Sequence, residues 1–180
     1  MKIISGKYKG RNVIGYDIDG TRPTMDRVKE SMFAMIQDYI KEKVCLDLFA
    51  GSGNLGIEAI SNGAKKCYFV DNNKIAINTI NENIKNLGIE KKCEVLHKDY
   101  MDALLYFKEN KIKFHLVFLD PPYDNDVIND ILKFLYKNKL LKREAIVICE
   151  YQKGELKSEY FEVEREKKYG YKKVGIYVQK

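Results

Sequence analysis

From Val44 onward, short unbroken apolar runs alternate with longer stretches in which apolar residues recur every three or four positions. The runs near 44–48, 67–70, 93–96, 114–119 and 145–150 predict strands. Their continuity, rather than an in-out alternation, is the mark of a parallel sheet buried on both faces. The stretches near 54–62, 73–87, 100–109 and 125–138 predict helices. In 73–87 the residues Ala76, Ile80, Ile84 and Leu87 make one stripe, and Gly88 is placed to stop the helix. Strand and helix in this alternation predict a doubly wound, Rossmann-like α/β sheet.

The pattern changes at both ends. After Glu150, Phe161 and Val163 alternate with acids, and Val174, Ile176, Tyr177 and Val178 form a second short run beyond Tyr169-Gly-Tyr171. Two strands joined by a short turn are antiparallel, so a C-terminal hairpin is expected. At the other end, Ile3, Ile4, Val13 and Ile14 with glycines at 6, 10 and 15 predict a small β hairpin or strand pair. Arg22-Pro-Thr24 then punctuates the chain, and Thr24 is the expected N-cap of a helix. Its buried face is expected to be Val28, Met32, Met35, Ile36, Tyr39 and Ile40. The 180 residues suit a single domain spanning 1–180, with 1–22 as an N-terminal β arm.

The stretch Val44-Cys-Leu-Asp-Leu-Phe-Ala-Gly-Ser-Gly-Asn-Leu-Gly56 carries the clearest chemistry. An apolar strand runs through a glycine-rich turn into a helix, with Gly51, Gly53 and Gly56 in the G-x-G-x-x-G spacing. Asp71 follows twenty residues after Gly51. This is a nucleotide-binding fingerprint in spacing and in context. Asp47 narrows the ligand, because a carboxylate beside a pyrophosphate in a sheltered cleft is costly. An adenosine ligand with a cationic end fits better, and S-adenosylmethionine has both an amino group and a sulfonium. Asp71 would then accept from the ribose hydroxyls. Asp99, at the end of the third strand, could accept from the adenine amino group, with Tyr100 beside the ring.

The fourth strand ends in Asp120-Pro-Pro-Tyr123. Two prolines offer no N–H, so the turn presents acceptors: the Asp120 carboxylate and the carbonyls around Pro121 and Pro122. Such a turn matches an amino group with two N–H donors, and Tyr123 adds a face on which a base can stack. Asp120 needs no raised pKa for this work, since an ionised carboxylate is the better acceptor. If the first and fourth strands are neighbours, Asp120 faces the same crevice as the glycine turn. His97 and His115 lack a partner constellation and are expected to be structural.

Composition adds three points. Cys45, Cys67, Cys93 and Cys149 are too scattered for a metal or redox pair, and buried reduced thiols are expected. No metal is expected. No apolar run approaches a membrane span and no secretory leader is recognisable, so a cytoplasmic protein is expected. The net charge of +6 favours a polyanionic partner, although a chain rich in Lys, Ile and Asn drifts basic without one. Placement says more: Lys7, Lys9 and Arg11 surround Tyr8 within the first eleven residues, which hold no acid, and Arg22 and Arg27 follow. Basic residues interleaved with an aromatic suit a nucleic-acid backbone.

These residues resemble a family. Ile3-Ile-Ser-Gly-Lys-Tyr-Lys-Gly-Arg11, Arg22-Pro-Thr-Met-Asp-Arg-Val-Lys-Glu30, Asp47-Leu-Phe-Ala-Gly-Ser-Gly-Asn-Leu-Gly-Ile-Glu-Ala59, Asp120-Pro-Pro-Tyr123 and Tyr169-Gly-Tyr171 are similar to motifs of the RsmD-type bacterial 16S rRNA guanine-N2 methyltransferases. Those are class I S-adenosylmethionine-dependent methyltransferases. The resemblance covers nearly the whole chain. It departs at Ser61-Asn-Gly63, where the family usually has an arginine before the glycine. It implies that Asp47, Phe49, Gly51, Gly53, Asp71, Asn72, Asp99 and Tyr100 bind the cofactor, and that Asp120 to Tyr123 hold the guanine amine. The implied partner is 16S rRNA in the assembling small subunit, with no obligate protein subunit and no membrane. A DNA adenine-N6 methyltransferase shares the Asp-Pro-Pro-Tyr tetrad, but this chain has no obvious target-recognition insertion. A nicotinamide-dependent oxidoreductase fits Asp47 poorly. A non-enzymatic RNA-binding protein would not need the intact tetrad.

Overall fold

The computed structural model describes residues 1–15, 23–122, 125–152 and 156–180. The elements are α1 (Pro23–Ile36), β1 (Val44–Asp47), α2 (Asn54–Ser61), β2 (Lys66–Asp71), α3 (Lys74–Leu87), β3 (Cys93–His97), α4 (Tyr100–Glu109), β4 (Phe114–Leu119), α5 (Asn125–Lys137), β5 (Leu141–Tyr151), β6 (Phe161–Tyr169) and β7 (Lys172–Gln179). They form one seven-stranded sheet in the order β3-β2-β1-β4-β5-β7-β6. β1 to β5 run parallel, β7 pairs antiparallel with β5, and β6 antiparallel with β7. Strand order reverses between β1 and β4, so the crevice lies beyond their carboxyl ends.

Alternate residues of each strand enter different cores. Cys45, Cys67, Phe69, Leu116 and Phe118 pack with α1, α2 and α3. Leu46, Tyr68, Val70, Val117 and Leu119 pack with α4 and α5 through Leu104, Phe107, Ile131, Leu132 and Leu135. This two-sided burial is what the continuous apolar runs encode. Cys45, Cys67 and Cys149 are buried, Cys93 is partly so, and all four are free thiols.

Two termini of helices differ from expectation. α1 starts at Pro23, a favourable first helical position, so Thr24 lies within the helix rather than capping it. The helix ends at Ile36 in a turn closed by the Tyr39 amide donating to the Ile36 carbonyl. Ile40 is still buried, but the stripe runs through Phe33, while Met35 is only partly covered. The Tyr39 hydroxyl leaves that stripe for the carbonyls of His115 and Glu144, at 3.0 and 2.8 Å. β5 begins earlier than the apolar run, at Leu141. A register shift against β4 lets the exposed, positive-φ Glu144 pass.

The expected N-terminal strand pair is present but short: Lys2 bridges Asn12 in antiparallel sense, flanked by the Ile3 amide donating to the Arg11 carbonyl at 2.9 Å and the Val13 amide to the Met1 carbonyl at 2.7 Å. The reason is visible in the amides. Ile4 and Ser5 donate to the Glu58 carboxylate at 3.0 and 2.9 Å, and Lys7 donates to the Ser61 carbonyl at 2.8 Å. Backbone donors committed to α2 cannot extend a ladder. Ile3 and Val13 are buried against the α1–α2–α3 side.

Candidate active site

The site begins with the turn between β1 and α2. Gly53 caps α2 in the left-handed region at φ 83°, a conformation that favours glycine. A Cβ on Gly56 would stand 2.3 Å from Phe69 and 2.7 Å from the Cys67 sulfur, so α2 lies on β2 more closely than any side chain permits.

Two carboxylates brace this turn from below. Asp47 is 2 % exposed and its Oδ2 accepts from the Gly56 amide at 3.0 Å. Burial raises its pKa to about 7; the Gly56 amide opposes the rise and the Asp71 charge adds to it. Asp71 accepts from the Gly51 amide at 2.9 Å through Oδ2 and from the Asn73 amide at 2.9 Å through Oδ1. Both acids therefore hold the loop backbone. Each carboxylate oxygen keeps a second acceptor direction for a ligand.

The remaining cofactor candidates lie along the same edge. Phe49 and Tyr100, both half-buried, meet with ring centroids 5.4 Å apart and planes at 43°. Exposed Asp99 accepts from the Met101 amide at 3.2 Å and caps α4. Exposed Asn72 follows Asp71, and its carbonyl lies 3.0 Å from His97 Nε2. His115 Nδ1 accepts from the Val44 amide at 3.1 Å. Both histidines hold the backbone. The donor set fits an adenosine ligand: an acid for the cationic end, an acid for vicinal hydroxyls, and a ring pair for the base.

Asp120 follows β4 directly, in the crevice beside β1. Leu119 pairs with Cys149, which sets Asp120 next to Glu150. The Asp120 carboxyl is not an ordinary one. Burial and a hydrogen bond with Glu150 push the Asp120 pKa well above the usual range, Asp47 adds to the rise, and Lys172 opposes it. Pro121 is buried and Pro122 exposed. Tyr123 lies outside the described residues.

The basic candidates separate. Lys7, Lys9 and Arg27 are exposed, with the Lys7 ammonium 5.5 Å from the Tyr8 ring centre. Arg11 is exposed too, but its guanidinium donates to the Asn86 carbonyl at 2.9 Å near the end of α3. Arg22 lies outside the described residues.

Several important residues escape sequence reasoning. Lys29, which reads as a cation near an exposed helix start, is instead 2 % exposed and pairs at 3.1 Å with fully buried Glu58. Its ammonium also donates to the Lys2 carbonyl at 3.0 Å and to Asn54 Oδ1 at 2.8 Å. The available signal was Glu58 itself, the one charged residue in the Asn54–Ser61 helix. Buried Asn83 donates to the Ser52 and Ile14 carbonyls, each at 3.0 Å, and accepts from the Ile14 amide at 2.8 Å. One side chain thus ties the arm to the glycine turn. Nothing in the local sequence announces it.

The family model described as Conserved hypothetical protein 95 matches residues 1–178. The chain belongs to this family, the RsmD family. Ribosomal RNA small subunit methyltransferase D of Haemophilus influenzae is 37 % identical over 85 % of this chain and 79 % of its own length. The solved structure of yhhF from Escherichia coli superposes with a TM-score of 0.85 at 26 % identity, covering 100 % of this chain and 98 % of that one. SMU.776, solved with SAH, shares the fold: TM-score 0.66 at 16 % identity, over 87 % of this chain and 50 % of the other. Among the described residues, no helix of this RsmD-family chain is long and apolar enough to cross a membrane.

Proposed function

We propose that this protein transfers the methyl group of S-adenosylmethionine to the 2-amino group of a guanine in small-subunit rRNA, acting in the cytoplasm on the assembling subunit. Membership of the RsmD family supports S-adenosylmethionine-dependent rRNA methylation. The observation that carries the finer reading is the acceptor-only turn Asp120-Pro-Pro at the β1/β4 switch, sharing its crevice with the Asp47 and glycine turn.

When bound, S-adenosylmethionine supplies an electrophilic methyl on a sulfonium. Asp47 meets its cationic end, Asp71 the ribose hydroxyls, Phe49 and Tyr100 the adenine ring, and Asp99 the adenine amine. An exocyclic guanine amine is a weak nucleophile because its lone pair is conjugated with the ring. Asp120 and the neighbouring carbonyls accept from its N–H groups, free the lone pair and align it with the C–S bond. The cofactor would give its methyl to that lone pair and leave as a neutral thioether, keeping the C–S electron pair. The Asp120 carboxylate then takes the proton that the methylated nitrogen sheds. Positioning and acceptor electrostatics are the main contributions. Lys7, Lys9 and Arg27, with Arg11 and Arg22, offer cations to the RNA backbone.

The test is transfer of labelled methyl to unmodified small subunits, naked 16S rRNA and duplex DNA, with products digested to nucleosides. N2-methylguanosine from the subunit is expected; methyladenine from DNA would replace this reading with the DNA-modifying one. In the same series, the Lys7→Ala/Lys9→Ala double variant is expected to reduce the log–log salt slope of RNA binding by about 1.5.

Cofactor affinity should also report on Asp47. The ligand's cationic end binds the ionised form, whose pKa burial raises to about 7. Affinity is therefore present above that value and lost as pH falls through it. Calorimetric titration should show about a tenfold weakening from about pH 7.5 to about pH 6, flattened in Asp47→Asn. A flat wild-type profile would leave Asp47 only its hold on Gly56.

A further inference from the structure

Lys172 opens β7, directly after the exposed Tyr171 of the β6–β7 turn. Its ammonium lies 2.9 Å from Glu150 Oε1 on β5, with the two side chains 25 % and 11 % exposed. The β5–β7 pairing sets Glu150 opposite Val174 and Tyr151 opposite Lys173, so Lys172 stands at the carboxyl edge of the parallel strands. The β4–β5 pairing sets Glu150 beside Asp120. A carboxylate pair in a sheltered place cannot readily hold two charges, and one proton shared across it is the ordinary result. A cation within reach of both carboxylates changes that balance.

We infer that Lys172, acting through Glu150, is a positioning residue for methyl transfer: the ion pair holds Glu150 and keeps Asp120 ionised and free to accept from the target amine. Among the described residues, the charged groups facing Asp120 are Asp47 from β1, Glu150 from β5 and Lys172 from β7. Of these, only Lys172 favours its charged form. Lys172 responds in turn to Glu150 and Asp120, which both raise its pKa. Without this ammonium, Asp120 would sit between two acids, with Asp47 on one side and Glu150 on the other. It would stay protonated until a higher pH. A protonated carboxyl donates through its O–H and offers the amine a poorer acceptor.

This inference rests on the reading of Asp120 as the amine's acceptor, and one experiment separates the two. Single-turnover methyl transfer to small-subunit rRNA is followed from about pH 5.5 to about pH 9 for wild type, Lys172→Met, Lys172→Arg and Glu150→Gln, with cofactor and RNA affinities measured alongside. For Lys172→Met the acid limb should move up by about one pH unit. That corresponds to about a tenfold lower rate on the limb, recovering at high pH. Lys172→Arg should keep the wild-type limb. Glu150→Gln, which removes the competing carboxylate, should move it down. Affinities should stay within about twofold, because the effect is on the protonation of an acceptor used in the reaction. A rate that falls equally at every pH in Lys172→Met, or an acid limb that stays in place in that variant, overturns the inference. Should Lys172→Met not fold, Lys172→Gln is read in its place by the same criteria. A wild type that binds cofactor yet transfers no methyl to rRNA overturns the functional reading itself.

Discussion

Asp120→Ala is expected to lower methyl transfer by about 10²- to 10³-fold or more while cofactor affinity changes by less than about twofold. The same variant should melt no lower than wild type, and it should melt higher near neutral pH. The second half distinguishes a working acceptor from a structural one. Burial and the Glu150 neighbour raise the folded-state pKa of Asp120 above its unfolded value. A group shifted in that direction contributes stability below its unfolded pKa and loses that contribution as pH rises through the folded pKa. At neutral pH, holding Asp120 in the fold therefore costs stability, and alanine removes that cost. Thermal melting and single-turnover transfer on one preparation check both halves. Retained transfer would remove the assignment. A lost rate with a much lower melting temperature would make Asp120 a folding residue.

The wide register of the molecule was open to sequence reasoning because it depends on local patterns. Continuous apolar runs give two-sided strands, and three glycines in fixed spacing give a turn that only a close strand–helix approach explains. What stayed hidden depends on contacts between distant segments. The arm reads as a hairpin because Ile3, Ile4, Val13 and Ile14 are apolar. Its pairing is present but ends at Ile3, because Glu58, more than fifty residues later, takes the amides of Ile4 and Ser5. Tyr39 reads as part of a helical stripe but is drawn to carbonyls of β4 and β5. At the site, Asp47 and Asp71 stand out by position, yet sequence says nothing of the amides of Gly56 and Gly51 that they also hold. Asp120 was legible by its prolines. Its electrostatic setting was not, because Glu150 and Lys172 reach it only through strand pairing.

Glu58→Ala is expected to destabilise the fold by about 3–5 kcal/mol, the range for removing one partner of a buried ion pair. The site shows why the cost is high. Lys29 would be left at 2 % exposure with the Lys2 carbonyl and Asn54 Oδ1 as its remaining partners among the described residues. The Ile4 and Ser5 amides and the Ser5 hydroxyl would lose their shared acceptor at the same time. For a domain of this size such a loss lowers the melting temperature by about 6–20 °C. Glu58→Gln should fall between wild type and alanine, since one amide oxygen can still accept while the charge is gone. Lys29→Met/Glu58→Leu should recover much of the loss relative to Glu58→Ala, because no uncompensated charge remains buried. Hydrogen exchange locates the effect: in Glu58→Ala the Ile4 and Ser5 amides should exchange fastest relative to wild type, ahead of β1 and β4. If the double variant is as unstable as the single, the side chains serve by shape rather than charge. Since Lys29 also grips Asn54 at the start of α2, the pair fastens the basic arm to the helix that follows the glycine turn. An arm loosened in Glu58→Ala should therefore weaken RNA affinity more than cofactor affinity, measured at a temperature where both variants remain folded.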